Sequence, residues 1–146
     1  MAAQLIEAGA ILACTLFTGA AIYISAVEHP ARLSCGAEVA AAEWAPSYKR
    51  ATVMQAPLAV IAAFLGILRG ILGGGSLWAW AAMLIIAVVP FTLIVIRPTN
   101  NRLLESGRDR GSDETLRLLE SWGRLHGVRT ALGAAASVLF VWAATR

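Results

Sequence analysis

His29 and His126 are the only imidazoles in the chain, and each stands where a strongly apolar stretch meets a polar one. His29 lies in Val27-Glu28-His29-Pro30-Ala31-Arg32, and His126 in Trp122-Gly123-Arg124-Leu125-His126-Gly127-Val128-Arg129-Thr130. An imidazole titrates near neutrality, and charged neighbours tune its proton affinity, so either group could move a proton or ligate a metal. Trp122, His126, Arg129 and Gly133 recur at i, i+4, i+7 and i+11, which puts them on one stripe of a helix that could face a bundle interior. The competing use of that stripe is an interfacial anchor, with Trp122 and His126 among headgroups and Arg129 snorkelling.

The elements that must carry these groups follow from hydropathy. The chain has 146 residues, 58% hydrophobic and 14% charged, with a mean hydropathy of +0.69, far from the balance of a soluble domain. Residues 5–27, 52–72, 77–96 and 128–144 form four apolar blocks, each close to the roughly 20 residues that cross a hydrocarbon core. Residues 58–68 and 79–89 hold no charged or amide side chain, so a soluble amphipathic bundle is excluded. The expected fold is all-α: a four-helix transmembrane bundle, up-and-down, forming one integral membrane domain over residues 1–146. Its fourth helix should start near Ser112, with Asp113 and Glu114 in the first turn, and carry an amphipathic cytoplasmic extension into the last span. Positions 1–13 contain no Lys or Arg to make a signal-peptide n-region, so the first block reads as a retained span.

Basic residues orient the bundle. Arg32, Lys49 and Arg50 fall in the first connection, and Arg97, Arg102, Arg108, Arg110, Arg117, Arg124 and Arg129 fall in or border the third. The positive-inside rule then makes those loops cytoplasmic and puts both termini outside. The net charge of +3 needs no nucleic-acid partner, because these basic residues are interleaved with acids like an anchored membrane surface. Cys14 and Cys35 form no metal or redox motif, so Cys14 reads as a packing residue and Cys35 as a free thiol.

In the first connection, Pro30 suits the first turn of a new helix, and residues 37–44 favour helix until Pro46 interrupts. Trp44 and Tyr48 are then expected at headgroup depth. Gly73-Gly74-Gly75-Ser76 is a tight turn that makes helices two and three antiparallel neighbours. Pro90 should kink helix three, and Arg97-Pro98-Thr99-Asn100-Asn101 reads as a break with Thr99 or Asn100 capping the restart. An up-and-down course gathers Glu28 and His29, Gln55, Thr99 and Asn100, and His126 and Arg129 at one end. Ionisable groups at membrane depth are costly unless they face the interior, so this cluster is the candidate site.

Gly19 to Ser25 leading into Glu28-His29-Pro30-Ala31-Arg32, then Gln55, Pro90-Phe91-Thr92, Pro98-Thr99-Asn100, Trp122, His126 and Arg129-Thr130, resembles the small four-helix membrane proteins of a domain family that includes fungal anthrone oxygenases. The resemblance spans nearly the whole chain. It implies oxidation of an anthrone-like or other apolar aromatic small molecule by molecular oxygen, as a monooxygenase with no cofactor. An anthrone C–H is acidic because its carbanion is an extended phenolate, so one base of near-neutral pKa yields an anion able to react with oxygen directly. His126 or His29 would be that base, with Glu28 orienting an imidazole and Arg129 with Asn100 stabilising the oxyanion. Tyr23 or Trp122 would offer stacking surfaces, and Gln55 and Thr99 would complete the substrate site, reached from the membrane lipid between helices. Two alternatives remain open. One is a redox protein holding haem b, iron or copper through His29, His126 and Glu28. The other is a non-catalytic binder of lipid, quinone or a partner, in which small-residue runs such as Gly133 to Ser137 could also support a homo-oligomer.

Overall fold

Each of the four apolar blocks lies within a longer helix that runs on beyond it at the polar end. A computed structural model describes residues 1–146 as α1 (Ala2–Ser34), α2 (Ala37–Gly74), α3 (Ser76–Leu103) and α4 (Asp113–Ala144), each long and apolar enough to cross a membrane. The chain is a multi-pass membrane protein. α1 packs against α2 and α4, and α3 packs against the same two, which closes an up-and-down ring in sequence order. Two of the three connections are minimal. Gly36 at φ 86° turns the chain at the first connection, and at the second the backbone leaves helical geometry at Leu72 and reverses through Gly73 at φ 89° and Gly75 at φ 87°, conformations that other residues avoid. The third connection is the stretch 104–112. It is tied down by Arg108 to Glu105 and Glu114 and by Arg102 to Glu114, and ends with Ser112 capping the Thr115 N–H.

α1 and α3 each contain one widened turn, at Ile24–Glu28 and Thr92–Ile96. The His29 N–H reaches Ile24 O and the Arg97 N–H reaches Thr92 O, five residues back. Both turns end two residues before a proline, Pro30 or Pro98. A proline has no N–H to give and its ring crowds the carbonyl four residues back, here Ala26 or Ile94, so widening that turn lets the helix continue. The break expected at residues 97–101 is therefore absent: Thr99 and Asn100 lie inside a helical segment, Arg97–Leu103, and cap nothing. α3 also stays helical through Pro90. Pro46 does not interrupt α2 either, because the carbonyl it frees, on Ala42, belongs to an exposed residue beyond the apolar span.

Two cores fill the ring. One, in the apolar half, is dominated by alanine: Ala10, Ala13 and Ala21 of α1 meet Ala59, Ala62 and Ala63 of α2, Ala81 and Ala82 of α3 and Ala136 of α4, with Phe17, Trp78 and Phe140 between them. Small residues bring helix backbones close where no hydrophobic drive separates helix from lipid. The other, at the polar end, holds Ile24, Ala40, Ala41, Trp44, Ile96, Leu119 and Trp122. Trp44 is fully buried there, stacked on Tyr48 at 5.0 Å and edge-on to Trp122 at 5.8 Å, so its indole faces the bundle interior. The extension of α2 past its apolar span swings the indole inward.

Candidate functional site

Trp122 is the hub of the polar end. Its ring lies 4.8 Å from the His126 imidazole in a stacked arrangement and 5.1 Å from that of His29, with the Arg32 guanidinium 6.0 Å away. His29 of α1 thus meets the α4 stripe at Trp122, and both histidines are buried. The widened turn in α1 carries His29 and Arg32 onto the buried face and leaves Glu28 at its margin.

The two imidazoles differ in surroundings. His29 packs against α4 at Gly123, where a Cβ would come within 2.5 Å of its Nε2. Neither of its ring nitrogens has a hydrogen-bond partner, and it lines no cavity. His126, 2% exposed, lines a narrow cavity with Arg32, Ser47, Tyr48, Gln55, Trp122 and Arg129. Its Nδ1 lies 3.0 Å from Ser25 Oγ.

Glu28 does not orient either imidazole. Its carboxylate accepts from Arg32 and from the Ser47 hydroxyl at 2.6 Å, and Arg32 also pairs with Glu43 at 2.6 Å, so the group clamps α1 to α2. No set of three or more His, Cys, Asp or Glu side chains is placed to hold a metal ion, so His29, His126 and Glu28 form no three-ligand group. Nor do the imidazoles face each other across a slot, since Trp122 packs on both and no cavity is lined by both. The residues in this arrangement do not fit a haem held between the two histidines.

Arg129 donates from Nη2 to Gln55 Oε1 at 3.0 Å and lies 5.6 Å from the centroid of the Phe17 ring. Because a guanidinium only donates, this bond assigns the Gln55 oxygen and turns its amide nitrogen away. Gln55, 1% exposed, keeps Nε2 without a partner, and Arg129 keeps Nε without one. Two buried donors on facing helices are thereby left unused, a costly arrangement unless something else accepts from them. Asn100 is also buried with Oδ1 unpartnered, yet it lines none of the cavities beside His126 and bonds neither Arg129 nor a histidine. Thr99 is half-buried and lines no cavity.

Three cavities run in line across α2. A groove of about 480 Å³ between α1 and α2 contains Tyr23, which is 56% exposed, together with Glu28, Ser47, Arg50 and Met54. It shares Ile24, Ser47 and Ala51 with the narrow cavity beside His126, about 10 Å³, the space of a single water. The narrow cavity shares Thr52, Gln55 and Arg129 with a crevice of about 110 Å³ between α2 and α3, lined by Phe17, Ala56, Ala59, Val88, Val89, Thr92 and Leu93. Ala56 and Leu93 are exposed, so this crevice opens sideways from the bundle. Trp122 is no open stacking surface, because its ring is already packed by His126, His29 and Trp44.

Ser25, Arg32, Ser47 and Thr130 adjoin these groups although none of them carries a role in the site expected from the sequence. Ser25 and Thr130 are hydroxyls at the inner edges of apolar spans and stand in the pattern that carries the family resemblance, two signals that could have marked them.

Comparison with known proteins agrees with the resemblance. Residues 44–139 match the anthrone oxygenase family, a stretch that includes Gln55, Trp122, His126 and Arg129 and begins after His29. The anthrone oxygenase tpcL of Aspergillus fumigatus is 39% identical over 70 residues, which cover 46% of this chain and 44% of that protein. No solved structure matches.

Proposed function

The chain belongs to the anthrone oxygenase family, and on that premise we propose that it oxidises an anthrone-like, apolar aromatic substrate with molecular oxygen, using His126 as the base. The observation that carries this reading is the pair of unused donors, Gln55 Nε2 and Arg129 Nε, on residues that line both the His126 cavity and the crevice between α2 and α3. Removing a proton from the anthrone methylene places negative charge on the ketone oxygen. Donors already aimed at that charge, in a water-poor setting, stabilise it without reorganising. Arg129 and Gln55 take the part first assigned to Arg129 and Asn100. The crevice is smaller than the roughly 300–1,000 Å³ of a typical ligand pocket, so one edge of a flat ring system enters it and the rest stays in lipid.

The balance is complete without a further reductant. The methylene proton passes to His126, and oxygen takes up the carbanion's electrons and bonds to that carbon. The resulting peroxide gains a proton, and loss of the second C–H with O–O cleavage leaves a quinone carbonyl and one water. The substrate loses four electrons and the oxygen molecule gains four. This route uses no flavin, haem or metal. The basic residues near this end support a cytoplasmic placement for it, with both termini outside.

Oxygen uptake by the purified full chain in lipid nanodiscs, with 9(10H)-anthracenone as substrate, tests the proposal. Uptake above the uncatalysed background, with quinone formed one-for-one with oxygen consumed, is expected. Absence of such uptake overturns the activity, and a Soret band or stoichiometric iron or copper overturns the cofactor-free route.

A further inference from the structure

The hydrogen bonds behind His126 carry more than its position. Ser25 Oγ lies 3.0 Å from His126 Nδ1 and 2.8 Å from Thr130 Oγ1. Thr130 Oγ1 in turn lies 3.2 Å from Ala21 O and 3.2 Å from His126 O. Each hydroxyl has a single proton, and a backbone carbonyl has none to give. The far end of the chain therefore sets its direction. Were Thr130 to donate to Ser25, its oxygen would face two carbonyl oxygens with no hydrogen between them. Thr130 thus donates to the carbonyls, Ser25 donates to Thr130, and the Ser25 oxygen is left to accept from His126 Nδ1–H.

We infer that Ser25 and Thr130 are positioning residues that hold His126 as its Nδ1–H tautomer, which leaves the Nε2 lone pair as the proton-accepting atom. Neutral imidazole in water prefers the opposite tautomer, with the proton on Nε2, and an imidazole in that form has no lone pair there to take a substrate proton. A hydrogen bond at one ring nitrogen determines the chemistry of the other. The three residues come from α1 and α4, so docking of these helices assembles the base in usable form. Ser25 stands inside the widened turn that precedes Pro30, which links the relay to the local backbone of α1. The inference rests on His126 being the base, but the tautomer itself is a property of the resting protein.

With only two histidines in the chain, [15N]histidine labelling gives a spectrum simple enough to read directly. The full chain in nanodiscs is measured at rest, and His126→Gln identifies which signals belong to His126. The expected wild-type pattern is a protonated Nδ1 and an unprotonated Nε2. Ser25→Ala and Thr130→Val should each move His126 toward the Nε2–H form and lower kcat for 9(10H)-anthracenone at least about ten-fold with KM little changed. Ser25→Thr, which keeps the hydroxyl, should restore both. A wild-type His126 protonated on Nε2 overturns the relay whatever the activity, as does a Ser25→Ala variant with unchanged tautomer and kcat. A wild type that shows the Nδ1–H form but consumes no oxygen with the anthrone overturns the catalytic reading and leaves the relay standing.

Discussion

In the apolar half of the bundle, Ala62, Ala81, Ala82 and Ala136 are fully buried, and Gly66 lies so close to α4 that a Cβ would meet the Phe140 ring at 2.6 Å. The buried hydroxyls in that half are satisfied, with Thr18 and Ser137 bonded at 2.9 Å. At the polar end, the same four helices enclose Trp44, Trp122, two histidines and two arginines, and there His29, Trp44, Gln55, Asn100 and Arg129 hold polar atoms without partners. Orphaned polar atoms cost stability, so packing alone accounts for the first half, whereas the second leaves groups for which a bound molecule would supply partners. The contrast separates a zone whose substitutions should unfold the protein from one whose substitutions should silence it.

Replacing His126 by Gln breaks the second zone most sharply. Oxygen uptake with 9(10H)-anthracenone should fall by about 10²–10⁴-fold, the usual worth of a general base, while the melting profile in nanodiscs stays near wild type. Retained uptake would remove His126 from the chemistry. Next come the donors: Arg129→Met or Gln55→Leu should lower kcat on the order of 10²-fold, as loss of one oxyanion donor does. Equal losses in both, with the double variant no worse than either, would show that the pair acts as a unit, and no loss in either would sink their role.

Gly66→Ala inverts the pattern. It drives a methyl into the Phe140 ring and should cost about 1–3 kcal/mol of stability, with kcat per folded molecule unchanged. Gly123→Ala falls between the zones, since its methyl meets His29, a group that lines no cavity. It should destabilise by a similar ~1–3 kcal/mol and leave kcat largely intact, and a large kcat loss there would return His29 to the catalytic set. The smallest effect belongs to Glu114, fully exposed on the first turn of α4 beyond the apolar span. Its hydrogen bond to Arg102, and then the charge of Arg108, hold its carboxyl below the ordinary carboxylate range. A depressed carboxyl contributes stability that is present above its unfolded value and lost as pH falls through the folded one. Glu114→Gln should therefore lower the melting temperature slightly near neutral pH and not at all at strongly acidic pH.

Much of the frame was legible along the chain. Uninterrupted apolar blocks leave a helix no alternative in lipid, since every backbone group must be satisfied within the segment, and each block is therefore helical throughout, within α1 to α4. The Gly73–Gly75 turn, the start of a helix near Ser112 and the inward stripe of Trp122, His126 and Gly133 were equally visible. The prolines misled. Pro46 and Pro98 read as breaks because a proline removes one hydrogen bond, but a widened turn or an exposed carbonyl absorbs that loss. Glu28 misled too, because its nearest titratable neighbour in sequence is His29, whereas its partners in space are Arg32 and Ser47.

By itself, the sequence determined that four helices cross the membrane and that both histidines end at the same side of it, because hydropathy and helical period are local properties that need no partner. Only the tertiary structure decided which imidazole meets a cavity, that Gln55 and not Asn100 joins Arg129, and that Ser25 and Thr130 stand behind His126. Those facts depend on the rotation of each helix about its axis and on one extra residue in the Ile24–Glu28 turn, which together select the side chains that face one another across the bundle.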